Sequence, residues 1–226
     1  MKTAMGPVES TPLPLVAITD RTVLGMGSLL KASEAAVAAG LPALMLREKD
    51  LPEEEALSLA ASLREITRGH HARLLINRRL NVARAVDADG VHLGADGPTV
   101  AQARHLLGNS ILIGYSAHDI NEGLRAFEDG ADYVIFSPIY ETPTKAGLLQ
   151  PVGLEALSLM VKAAPGPVLA LGGIDASRIA DVAQTGVAGI AVVRAIFGAA
   201  DPGEATSRLL RLWEAARPCR PDRLDR

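Results

Sequence analysis

Tyr133-Val134-Ile135-Phe136-Ser137-Pro138-Ile139-Tyr140-Glu141-Thr142-Pro143-Thr144-Lys145-Ala146-Gly147 reads as a short buried strand that empties into a loop carrying hydroxyls and a lysine. Further on, Val168-Leu169-Ala170-Leu171 empties into Gly172-Gly173-Ile174. Paired glycines let a backbone approach a phosphate closely, and a helix starting near Asp175 or Ser177 would aim N–H groups at the same place. A cationic loop beside such a cradle points to a phosphorylated small molecule.

Outward from these two segments the same unit recurs. Apolar runs stand at Leu15 to Thr19, Ala43 to Arg47, Arg73 to Ile76, Gly90 to Leu93 and Ile111 to Tyr115, and again at Tyr133 to Phe136, Val168 to Leu171 and Gly189 to Val193. They lack alternation, as strands buried on both faces do. Stretches with helical spacing lie between them, among them Glu53 to Thr67, Asn121 to Glu128, Leu154 to Ala163 and Ile179 to Gln184. Gly40, Gly69, Gly130 and Gly186 fall where helices should stop. Eight strand-helix units in one α/β chain of this length fit a single-domain (β/α)8 TIM barrel better than a doubly wound sheet. The expected boundaries are a flexible N-terminal extension over 1–13, the barrel over 14–217 and a flexible C-terminal tail over 218–226.

Composition excludes several classes. The chain has 226 residues, 48% hydrophobic and 3% aromatic, with a net charge of −3, so no basic nucleic-acid surface is expected. The lone Cys219 offers neither a disulfide framework nor paired metal ligands. No apolar run reaches membrane-spanning length, and Met1 to Pro14 lacks the apolar core of a signal peptide. A cytoplasmic enzyme without membrane partners is expected, and its alanine-rich outer helices are compatible with a homodimer.

In a barrel, the residues just past each strand gather at one face. That face would receive Arg47 and Lys49, then Asn77 with Arg78 and Arg79, then His92 and Asp96. It would also receive Ser116 and His118, the Thr142, Thr144 and Lys145 loop, Gly172 and Gly173, and Val193 with Arg194. The set is cationic although the whole chain is slightly acidic, which suits an anionic substrate. His118 is the candidate proton carrier because histidine titrates near neutrality. His92 is expected to turn into the barrel as a core residue, and His70 and His71 to lie at the opposite face.

These motifs in this order resemble the thiamine phosphate synthase superfamily, which holds the synthase and the TenI-type thiazole tautomerases. The likeness rests on Ala17-Ile18-Thr19-Asp20, Leu46-Arg47-Glu48-Lys49, Ile76-Asn77, Gly90-Val91-His92-Leu93-Gly94, Tyr115-Ser116-Ala117-His118, Pro138-Ile139-Tyr140 through Lys145, Leu171-Gly172-Gly173-Ile174 and Gly189-Ile190-Ala191-Val192-Val193. It runs from about Leu13 to Trp213. The resemblance implies a small phosphorylated thiazole as ligand.

Departures from the synthase pattern bear on the reaction. The resemblance implies Mg2+ held by carboxylates in two loops of the synthase. Here Asn77 is followed by Arg78 instead of aspartate, the next loop reads Gly94-Ala95-Asp96-Gly97 instead of Gly-Gln-Glu/Asp-Asp, so that Gly97 stands where a carboxylate is expected, and Met45 stands where a glutamine is expected. Arginine cannot coordinate Mg2+. The expectation is therefore a metal-independent TenI-type tautomerase with no cofactor, aromatising a carboxythiazole phosphate. In it His118 would shuttle the proton, Arg47, Lys49 and Asn77 would face the carboxylate, and Gly172, Gly173, Val193 and Arg194 would hold phosphate. The alternative is thiamine phosphate synthase, joining a pyrimidine diphosphate to thiazole phosphate with Mg2+; a second is an idle barrel that binds a phosphorylated ligand as a regulator.

Overall fold

The computed structural model describes residues 13–24, 26–142 and 150–217. Eight strands, β1 (Leu15–Ile18), β2 (Ala43–Leu46), β3 (Arg73–Asn77), β4 (Gly90–Leu93), β5 (Leu112–Ala117), β6 (Tyr133–Phe136), β7 (Val168–Leu171) and β8 (Gly189–Val192), close a barrel in sequence order. Every neighbouring pair is parallel, and Val16 of β1 opposite Ala191 of β8 completes the ring. Helices follow the strands around the outside, including Glu53–Gly69, Ile120–Glu128, Gly153–Ala163 and Pro202–Ala216. Among the described residues, no helix is long and apolar enough to cross a membrane.

Strand alternation splits the buried side chains into two cores. Leu15, Ala17, Leu44, Leu74, Ile76 and Val134 point outward and pack under the helices. Val16, Ile18, Met45, Leu75, Tyr133, Ile135 and Leu169 fill the barrel interior. Tyr133 needs a facing residue without a side chain, and Gly114 provides it: a Cβ there would lie 2.1 Å from the ring. The runs showed no alternation because both faces of the sheet are covered.

At the amino ends of the strands one clamp recurs. Asp89 accepts from the Leu74 backbone N–H at 2.7 Å and pairs with Arg64 at 2.5 Å. Asp132 accepts from Ile113 N–H at 2.6 Å and pairs with Arg104 at 2.5 Å. Each carboxylate thus ties a strand to a covering helix at the face away from the pocket.

Several element ends shift by one or two residues from expectation, and two of the shifts have a visible cause. β5 extends to Ala117 because Ser116 still pairs with Ile135 of β6. The helix expected over Glu53 to Thr67 runs through Gly69, and the left-handed residue is His71, at φ 58°. The chain reverses there so that Ala72 N–H reaches the Thr67 carbonyl at 3.0 Å.

Candidate active site

The carboxyl ends of the strands enclose a cavity of about 590 Å³, a size suited to a small-molecule ligand. Its lining brings together Arg47, Lys49, Asn77, Ser116, His118, Thr142, Gly172, Gly173, Val193 and Arg194. Thr144 and Lys145 lie outside the described residues, as do the terminal segments 1–12 and 218–226.

Past β2 the side chains separate. The buried Glu48 carboxylate turns away and accepts from Arg21 N–H at 3.1 Å. Burial raises its proton affinity, against hydrogen bonds from Thr19 and Arg21. Arg47 and Lys49, on either side, line the cavity, and neither forms an ion pair with a described residue. Burial and then the Arg47 and Arg78 guanidiniums hold the Lys49 ammonium below the usual lysine range.

Past β3, Asn77 donates through Nδ2 to the His92 carbonyl at 3.1 Å. Arg78 adopts a left-handed backbone, φ 64°, and its Nη1 meets Asp96 Oδ2 at 3.3 Å. Arg79 departs from the expected grouping. Its Nη2 donates to the carbonyls of Lys49, at 3.4 Å, and Leu51, so it braces the β2 loop from behind.

His92 points into the barrel as expected and is 3% exposed. Its Nε2 lies 2.8 Å from Ser116 Oγ and its Nδ1 3.3 Å from the Tyr133 hydroxyl. Burial, with a smaller contribution from Arg47, pushes its pKa down to about 3, so the ring is neutral and steers the Ser116 hydroxyl. His118 contacts the Ser137 carbonyl through Nδ1 at 2.7 Å. A carbonyl only accepts, so Nδ1 is the donor of this contact, and only in the Nδ1–H tautomer of the neutral ring is Nε2 the nitrogen left for chemistry.

Gly172 and Gly173 have φ 111° and 65°. A Cβ on Gly172 would lie 2.8 Å from Pro138 Cα, and one on Gly173 2.8 Å from the Glu141 carbonyl oxygen. The pair therefore serves the approach of the β6 loop as well as opening backbone toward the cavity. The helix occupies Ile179–Gln184 as its spacing predicts, but Asp175 and Ser177 are not at its start, because Asp175 accepts from Ser177 N–H at 2.9 Å and closes a turn first.

Arg178, missed from the sequence, ends that turn at the cavity wall. Its guanidinium sits 4.4 Å from the Tyr140 ring centroid and donates to the Gly173 carbonyl, joining the β6 and β7 loops. Arg178 stands five positions past Gly173, with no local signal in the sequence that turns it back to the cavity. Arg194 opens the four-residue helix Arg194–Phe197 after β8, exposed at the cavity rim. The cavity carries Arg47, Lys49, Arg78, Arg178 and Arg194 against Asp96, Glu141 and Asp175, so anions are favoured there.

The family model described as thiamine monophosphate synthase matches residues 15–196, from β1 through β8. A protein of Geobacter sulfurreducens named putative thiamine-phosphate synthase is 44% identical over 198 residues, covering 88% of this chain and 93% of its own. The thiamine-phosphate synthase of Chloroflexus aurantiacus is 44% identical over 79% of this chain and 82% of its own. The structure of thiamine phosphate pyrophosphorylase from Pyrococcus furiosus superposes with a TM-score of 0.83 at 34% identity, covering 90% of this chain and 96% of that one. Likeness of this depth, carried through every strand that feeds the cavity, decides the kinship: the chain belongs to the thiamine monophosphate synthase family.

Proposed function

We propose that this protein makes thiamine phosphate from a pyrimidine diphosphate and a thiazole phosphate. The observation that carries the reading is a single cavity with two cationic ends. Arg47, Lys49 and Arg78 follow β2 and β3, while the Gly172-Gly173 turn, Arg178 and Arg194 follow β7 and β8 across the eight-strand ring. Two phosphorylated reactants need two such ends. The names of the relatives support the same reading, ahead of the tautomerisation expected from the departures.

In the reaction the thiazole nitrogen attacks the pyrimidine methylene carbon as the carbon–oxygen bond to diphosphate breaks. The bonding electrons leave on the diphosphate oxygen, and no proton is transferred. The protein must hold the two rings in line and neutralise the departing charge. The thiazole phosphate is assigned to the β7–β8 end and the diphosphate to the β2–β3 end, with Ser116, oriented by His92, between them.

The Mg2+ implied by the family does not fit the residues at the β3–β4 edge. Asp96 is paired with Arg78, and among the described residues no group of three His, Cys, Asp or Glu side chains is arranged to hold a metal.

Tautomerisation is the second reading, favoured by His118, which lines the cavity with Nδ1 engaged by the Ser137 carbonyl, so that Nε2 of the neutral ring would be its base. Supplying both phosphorylated substrates and following thiamine phosphate and released diphosphate tests the assignment. Coupling is expected; conversion of carboxythiazole phosphate alone, without coupling, would move the assignment to the tautomerase.

A further inference from the structure

We propose that the Arg78 guanidinium replaces a divalent cation at the β3–β4 edge of the cavity, binding the outer phosphoryl group of a diphosphate directly. The identity of the diphosphate ligand rests on the synthase reading; the anion site itself rests on the following geometry.

Arg78 is built into its place. A left-handed backbone is uncommon and strained for a residue with a side chain. Here the Arg78 N–H donates to the His92 carbonyl at 3.0 Å, which fixes the turn and sends the side chain over the next loop. The next loop makes room: a Cβ on Gly97 would lie 2.9 Å from Arg78 Nε. The arginine and the glycine that replace two expected carboxylate positions thus form one packing unit. A side chain at residue 97 would push the guanidinium aside.

The guanidinium also has unspent capacity. Among the described residues its carboxylate contact is Asp96 at 3.3 Å, made through Nη1, and the Asp96 side chain is 78% exposed against 25% for Arg78. Asp96 therefore acts as a solvent-side counter-ion that leaves other donors for a ligand, and a guanidinium fork matches phosphate oxygens in pairs. Arg47 and Lys49 line the same end of the cavity. Three cations facing one exposed carboxylate are stabilised by a multivalent anion, and they repel a bare divalent metal.

The test is isothermal titration of the full-length protein with inorganic pyrophosphate in excess chelator. Binding is expected without metal, and Arg78→Ala should weaken it at least tenfold. Arg78→Lys should recover only part of the loss, because a point charge does not reproduce the fork. Gly97→Ala keeps every charge and should also weaken binding, by displacing the guanidinium; it serves where Arg78→Ala does not fold. Wild-type binding that requires Mg2+, or that Arg78→Ala and Gly97→Ala leave unchanged, would overturn the proposal. Failure to form thiamine phosphate while pyrophosphate binding stays dependent on Arg78 would sink the synthase reading alone. Coupling that needs Mg2+ and tolerates Arg78→Ala would sink this inference alone.

Discussion

His118 Nδ1 lies 2.7 Å from the carbonyl oxygen of Ser137, a contact that links β5 to β6 and fixes which ring nitrogen carries the proton. General acid–base groups contribute about 10²- to 10⁴-fold to reactions that move a proton. Joining the two rings moves none. His118→Ala is therefore expected to lower the steady-state coupling rate by less than about tenfold, and a far larger loss would return the assignment to tautomerisation.

His92 makes stability pH-dependent. Its folded pKa is about 3 against an ordinary value of 6.5, so between these values the unfolded chain binds a proton that the folded chain refuses. Stability should fall as pH drops from 6.5 toward 3, by up to about 1.4 kcal/mol per pH unit from this residue. Urea unfolding followed by the fluorescence of the buried Trp213 can measure it. The slope should flatten by about one proton in His92→Gln; an unaltered slope would refute the assignment.

Lys49 sets an alkaline limit on anion binding. Burial and two neighbouring guanidiniums lower its pKa, so it loses its charge at a lower pH than a free lysine does. Pyrophosphate affinity should decline over that range, and Lys49→Arg should carry tight binding to higher pH. Identical titration curves at every pH would exclude Lys49 from the anion site.

Arg79 supports without touching the cavity. Arg79→Ala frees the carbonyls of Lys49 and Leu51, and the loss of a charged donor is expected to cost about 1–3 kcal/mol of stability. The mobile β2 loop should raise KM more than it lowers kcat. The opposite split would place Arg79 in the chemistry.

Gly172→Ala combines a left-handed backbone with a collision against Pro138. A loss of more than about 1 kcal/mol in urea unfolding is expected, together with weaker thiazole phosphate binding. A neutral result would mean that the β6 loop yields easily.

The barrel was legible because its signals are local. Gly90 to Leu93, Tyr133 to Phe136 and Val168 to Leu171 are strands with the expected bounds, since buried parallel strands are continuous apolar runs. The Arg47 and Lys49 pair was legible too, because alternation beyond a strand end separates them from Glu48.

What stayed hidden depends on contacts between loops. No periodicity distinguishes Arg78, which faces the cavity, from Arg79, which turns behind it; a left-handed φ at Arg78 makes the difference. Arg178 reaches the site through stacking on Tyr140, a residue distant in sequence. Asp175 and Ser177, expected near the start of the helix after Gly173, instead form a turn ahead of Ile179, because an aspartate caps a turn as readily as a helix.

Tyr133, seated over Gly114 with Met45 and Leu75 around it, plugs the barrel below the cavity. A ligand must therefore use the upper mouth, and on the synthase reading proposed above two reactants sharing one doorway acquire an order. On that reading, whichever lies deeper has to enter first, and the joined product blocks both seats until it leaves by the same route.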